Sequence, residues 1–349
     1  MQQRHGGDIY RNRVNLDFSV NINPLGIPKR VKDCLHEAVE ACSTYPDLRS
    51  GELKKAIAGM LKVSEEYLVL GNGASELFMA IVQGLKPPKI LIPVPSFYGY
   101  EYAAKAGEGE IVWLPTKEED GFLPTEDMLA ALTDRAGLLF LGNPSNPSGR
   151  LLKPDFLERL LEECSQRKIQ VVVDESFMEF CSRGCSLACR IKEFDCLILI
   201  RSFTKSFAIP GVRLGYLLCA HKKTREKLQT MLPEWNLSVF AQKAGVVCAS
   251  EKDFLIRTQE TVEKERRNLI QSLNGLGFRV IQGEANFLLF FTPRKLYAPL
   301  LERGFLIREC SDFRGLTEGW YRIAVRTGEE NGRLLEAIKE VISIENQGE

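Results

Sequence analysis

Seven short apolar runs, separated by helical or turn-rich stretches, constrain the middle of this chain more than any other feature. They are Tyr67–Leu70, Ile90–Pro93, Glu110–Leu114, Leu138–Leu141, Gln170–Val173, Leu197–Ile200 and Tyr216–Cys219. Apolar runs of roughly four to eight residues bounded by turn signals read as buried strands. Thr125–Leu132 and Pro154–Arg167 read as helices between them, and Pro154 suits a first helical turn. Strands alternating with helices imply a mostly parallel sheet covered on both faces. In such a sheet ligands bind beyond the carboxyl ends of the strands.

The flanks read differently. Residues 1–24 are turn-rich and irregular, and the arm carrying His5 is either a loose tail or a lid over a site. Pro28–Ala41 and Glu52–Leu61 have helical spacing. From Lys222 long charged helices run to about Leu273, followed by strands at Phe278–Ile281, Phe287–Phe290 and Tyr321–Val325, a smaller α+β unit. At 349 residues the chain exceeds one ordinary core. The expected division is 1–44 as an arm and part of the smaller domain, 45–230 as the large domain, and 231–349 as the C-terminal small domain.

The 46 basic residues balance the 46 acidic ones and are mixed with them, which gives no footprint for nucleic acid or a membrane surface. No apolar run reaches the roughly 18 residues of a membrane span, and the first residues lack the apolar core of a secretory signal. A cytoplasmic location is expected. The ten cysteines are scattered, as free thiols in a reducing compartment are. Cys181, Cys185 and Cys189 recur every four residues and on a helix would share a face, yet the spacing fits neither zinc nor iron–sulfur patterns, and no metal site is expected.

Three segments carry candidate chemistry. Between the last two apolar runs lies a polar island with Ser202, Thr204, Lys205 and Arg213. An amine desolvated beside the rings of Phe203 and Phe207 and near a cation is a usable Schiff-base nucleophile. Ser202 and Arg213 are suited to a phosphate, one as a neutral donor and one as a planar fork. The loop Gly71–Glu76 follows a strand and opens a helix, so backbone N–H groups of Gly73, Ala74 and Ser75 form an anion cradle. It lacks the third small residue of a dinucleotide fingerprint. Asn143-Pro-Ser-Asn-Pro-Ser-Gly149 and Asp174 both follow strands, at the sheet edge where ligands sit.

The string S-F-T-K-S-F-A-I-P-G-V-R-L-G-Y at 202–216 resembles the lysine segment of fold-type I pyridoxal-phosphate enzymes, the aminotransferase class I/II family. The resemblance implies that Lys205 carries pyridoxal 5'-phosphate and that Ser202, Arg213, Gly73, Ala74 and Ser75 bind its phosphate. It further implies that Asp174 keeps the pyridine nitrogen protonated and that Asn146, in the N-P-x-N-P motif, faces the 3'-oxygen. Phe97 matches the ring stacked on the pyridine, and Tyr45 a tyrosine reaching the cofactor of a neighbouring subunit, hence a homodimer. The chain departs from the family at Phe177, where a tyrosine is common, and at Ser148, where threonine is.

Arg322, in W-Y-R-I-A-V, matches the arginine that grips a substrate α-carboxylate, and Arg308 adds a second fork. Two such arginines suggest a doubly anionic substrate. Two branches of the family take phosphorylated amines: threonine-phosphate decarboxylases of cobalamin synthesis and histidinol-phosphate aminotransferases. HGG at 5–7, LDFSVNINPLG at 16–26, YPD at 45–47 and FLIREC at 305–310 look like the decarboxylases. That resemblance implies that His5, Asn21 and Arg308 hold the substrate phosphate and Arg322 its carboxylate, with aminotransferase activity as the alternative.

Overall fold

A computed structural model describes residues 6–132 and 136–348. Its centre is a seven-stranded sheet in the order Leu68–Gly71, Gly215–Leu218, Leu197–Ser202, Gln170–Asp174, Leu138–Gly142, Lys89–Val94, Glu110–Pro115. All seven expected strands form. Gly215–Leu218 runs antiparallel to both its neighbours, and every other pairing is parallel.

Strand geometry sends alternate side chains to opposite faces. Val171 and Val173 enter one apolar cluster with the helices Gly51–Leu61 and Pro154–Gln166, whereas Val172 enters another with the helices Ala74–Leu85 and Tyr98–Lys105. Both faces of the sheet are therefore buried, which explains why its strands are continuously apolar rather than alternating.

A smaller antiparallel sheet follows, in the order Arg308–Glu309, Trp320–Ala324, Phe287–Phe291, Arg279–Ile281. Phe287, Leu288, Phe290, Tyr321 and Ile323 pack there with Val262 and Leu269 of the long helix Lys252–Gly275. The helix Gly328–Gly348, unassigned in the sequence reading, covers the same cluster through Leu334 and Ile338. Among the described residues no helix is long and apolar enough to cross a membrane.

Three expectations change. Leu16–Asp17, in the stretch read as irregular, forms a short parallel strand with Phe305–Leu306; two residues are too few to show a period. The helix expected over Pro28–Ala41 is α-helical only at Lys29–Glu37 and tightens to a 3-10 helix over Ala38–Ser43, so Val39 lies exposed instead of inward. In place of a helix there are two separate 3-10 turns, Met178–Phe180 and Leu187–Arg190; Cys181 follows the first, Cys185 lies between them and only Cys189 is in the second, so the three thiols share no helix face.

Candidate active site

A cavity of about 590 Å³ opens at the carboxyl ends of the central strands, between the large and small sheets. Its wall brings together seven of the residues singled out in the sequence: Asn21, Phe97, Asn146, Lys205, Arg213, Arg308 and Arg322.

Lys205 lies in a single helical turn, Phe203–Ser206, capped by Ser202, whose hydroxyl accepts from the Thr204 N–H at 3.3 Å. Positions 203 and 207 share one face of that turn and 205 points away from it. Phe203 and Phe207 therefore pack into the core, 5.3 Å apart, and do not flank the amine as expected. The ring near Lys205 Nζ is Phe177, with its centroid 5.9 Å away, held edge-on to Phe287 at 5.0 Å. Desolvation pulls the ammonium below its ordinary range; Asp174 opposes the shift and Arg213 adds to it.

Asp174 ends the central strand Gln170–Asp174 and is buried. Oδ1 accepts from the backbone N–H and hydroxyl of Ser176, at 2.9 and 2.5 Å, and Oδ2 accepts from the Tyr100 hydroxyl at 2.8 Å. Sequence reasoning missed Tyr100, because it missed the short helix Tyr98–Lys105 that carries it.

Gly73 has φ +78°, and a Cβ built on it would lie 2.3 Å from Arg213 Nη2. A bare backbone at the start of the helix Ala74–Leu85 thus lets the guanidinium close against the cradle. Ala74 is buried and Ser75 exposed in the first helical turn. Ser202 is fully buried, its hydroxyl 2.7 Å from that of Thr204. Phe97 precedes the helix Tyr98–Lys105, edge-on to Tyr100 at 5.7 Å. Tyr45 is not on the cavity wall: it is exposed, its ring 4.9 Å from that of Trp235. His5 lies outside the described residues.

The opposite wall belongs to the small sheet. Arg308 and Arg322 face each other directly across the antiparallel strands, both buried. Like charges opposite one another in a ladder repel. Asp312 takes both its oxygens to Arg308 Nη2, at 2.7 and 2.9 Å. Arg322 donates through Nη1 to Asn146 Oδ1 at 2.5 Å and through Nη2 to the Ser19 carbonyl at 2.9 Å. Its Nε is buried with no hydrogen-bond partner, as is Asn21 Oδ1. Burial chiefly, and Arg308 after it, draws the Arg322 guanidinium down to about 10. Arg326, two residues past the end of the strand Trp320–Ala324, also reaches the cavity wall, and no signal in the sequence pointed to it.

The sequence pattern described as Aminotransferase class I and II matches residues 13–338. The chain is 33% identical to the threonine-phosphate decarboxylase of Salmonella typhimurium, over 94% of this chain and 91% of that one. Among solved structures, a histidinol-phosphate aminotransferase from Clostridium acetobutylicum superposes with a TM-score of 0.88 at 34% identity, covering 95% of this chain and 99% of its own. An L-threonine-O-3-phosphate decarboxylase from Porphyromonas gingivalis superposes with a TM-score of 0.84 at 25% identity, covering 94% and 99%.

Proposed function

Since the chain belongs to the aminotransferase class I and II family, whose cofactor is pyridoxal 5'-phosphate, we propose that it decarboxylates L-threonine O-3-phosphate. The products are carbon dioxide and (R)-1-aminopropan-2-ol O-2-phosphate, the linker unit of the cobalamin nucleotide loop. The observation that carries this reading is the buried pair Arg308 and Arg322, set opposite each other on the wall facing Lys205. Asp312 answers part of that double charge; a ligand bearing both a phosphate and a carboxylate answers the rest.

The donor set fits the cofactor. A side chain at 73 would collide with Arg213, so the cradle is kept open for an anion, and a desolvated amine stands beside it. In this reading Lys205 holds the cofactor covalently. Gly73, Ala74, Ser75, Ser202 and Arg213 take its phosphate, together with the partner subunit's Tyr45. Asp174 serves the pyridine nitrogen, Asn146 the ring oxygen, and Phe97 the ring face. When bound, pyridoxal phosphate supplies an electron sink for a bond broken at the substrate α-carbon.

The chain's own residues then choose the bond. Arg308, Asn21 and His5 grip the phosphate and Arg322 the carboxylate. Binding energy from the remote phosphate goes into presenting the Cα–carboxylate bond for cleavage rather than Cα–H. The apolar rings of Phe177 and Phe97 exclude water from the reacting carbon. Lys205 Nζ, set free when the substrate amine takes its place, would hold the proton that replaces the departing carboxylate. We further propose that the protein is a cytoplasmic homodimer.

The test is a product assay on holoenzyme with L-threonine phosphate and L-serine phosphate. Release of carbon dioxide with stoichiometric aminopropanol phosphate is expected. A second reading, transamination of histidinol phosphate, is favoured by the likeness to that group of aminotransferases. No carbon dioxide, together with glutamate formed from histidinol phosphate and 2-oxoglutarate consumed, replaces the first reading with the second.

A further inference from the structure

The glycine pair at 6–7 has a physical role that cofactor and phosphate binding leave unexplained. Three successive carbonyls of the N-terminal segment accept hydrogen bonds from one strand and its extension. Asp17 O accepts from Arg326 Nη1 at 3.2 Å, Phe18 O from the Ala324 N–H at 2.8 Å, and Ser19 O from Arg322 Nη2 at 2.9 Å. Ser19 is also the anchor of the arm. Its buried hydroxyl accepts from the Gly7 N–H at 2.7 Å and donates to Asp17 Oδ1 at 2.6 Å. Gly6 lies directly on the oxygen that Arg322 uses: a Cβ built there would be 2.4 Å from Ser19 O. Gly7 has φ +85°, a conformation that side chains resist.

We infer that Ser19, roofed by Gly6 and tied to Gly7, is a positioning residue that sets the angle of the Arg322 fork. The fork has two fixed acceptors, Asn146 Oδ1 on one side and Ser19 O on the other, and Nη1 and Nη2 each carry a second N–H that these two bonds do not use. Displacing Ser19 O turns the guanidinium, and the coplanar match to a carboxylate is lost. The clasp therefore discriminates between ligands that carry an α-carboxylate and ligands that do not. This rests on the assignment of a carboxylate to Arg322, which decarboxylase and aminotransferase readings share.

The variants are Gly6→Ala, which crowds the shared oxygen, and Ser19→Ala, which frees the arm while keeping the carbonyl. For a decarboxylase the comparison is KM for L-threonine phosphate against the inhibition constant of its carboxylate-free product. For an aminotransferase it is glutamate against histidinol phosphate. Each variant weakens the carboxylate-bearing ligand about tenfold more than its counterpart, the scale of one charge-assisted hydrogen bond. In an Arg322→Lys background Gly6→Ala adds little further, because both changes act on one contact. Equal weakening of both ligands, or additive effects, overturns the inference. A substrate-free readout stands apart from either activity: Arg322→Lys speeds amide hydrogen exchange at Gly7, since coupling is reciprocal. Unchanged exchange at Gly7 overturns the clasp even if no substrate is turned over, whereas failure of the product assay alone overturns only the proposed reaction.

Discussion

The Tyr100 hydroxyl donates to Asp174 Oδ2 at 2.8 Å, joining the first turn of the helix Tyr98–Lys105 to the carboxyl end of the central strand. The Tyr100 ring lies flat against Phe140, centroids 5.2 Å apart and planes within 3°. Burial, and next the Asp174 charge, push the phenol well above its usual range, so it remains a donor throughout the working pH range. Tyr100→Phe keeps the stacking and removes only this bond. A hydrogen bond to a charged group contributes roughly 1.5–3 kcal/mol, and the urea midpoint falls accordingly with an unchanged m-value. A midpoint equal to that of the parent protein contradicts this.

Lys205 makes the cofactor-free protein pH-sensitive. Burial lowers its folded-state pKa, so the unfolded chain binds the proton more readily. Stability therefore rises with pH between the lowered value and the ordinary value of about 10.4. Lys205→Met removes the cost of desolvating the charge. The cofactor-free variant melts above the parent protein at neutral pH, and the gap closes by about pH 11. Thermal melts across that range check the sign: a gap that widens with pH refutes it. The same variant, treated with cofactor and borohydride, retains no ring fixed at position 205.

Gly73→Ala forces a Cβ into the space of Arg213 Nη2 and strains a backbone at φ +78°. Loss of the guanidinium from the cradle weakens cofactor binding by at least about tenfold. Titration of the cofactor-free protein, followed by the visible absorbance of the bound ring, measures it. An unchanged dissociation constant shows that the phosphate sits elsewhere.

Tyr45 and Trp235 form an exposed aromatic pair 4.9 Å apart, and Leu48 and Met231 are exposed as well. Large rings left in water mark interaction sites when they gather. Sedimentation equilibrium is expected to give the mass of two chains, and Trp235→Glu to shift it toward one. Tyr45→Phe is expected to weaken cofactor retention without dissociating the pair. A single-chain mass for the parent protein removes the basis for the shared site.

The large sheet was legible because its strands are apolar on both faces and bounded by turns; five observed strands extend the expected ones by one or two residues, as Leu197–Ser202 extends Leu197–Ile200, and Leu68–Gly71 and Gly215–Leu218 are each displaced by one residue from the expected run. Lys205 and Arg213 were singled out by one contiguous resemblance and Asn21, Phe97, Asn146, Arg308 and Arg322 by separate short ones; no spacing in the chain announced that all seven share one cavity wall. Tyr100 was not, since a helix reading Tyr-Gly-Tyr-Glu-Tyr has no apolar period to announce it. The clasp at Ser19 escaped for a different reason: its partners lie 303 residues apart, and backbone carbonyls leave no mark in a sequence. Asp312 escaped because a carboxylate four residues after an arginine is ordinary on a solvated face; here Arg308 is buried and Asp312 half-buried.

The strand Trp320–Ala324 that carries Arg322 comes after all seven strands of the large sheet. A ribosome therefore emits every residue of the lysine wall more than a hundred residues before the arginine wall is complete. The binding place for the vitamin is written into the nascent chain early, and the apparatus that selects a substrate is added last.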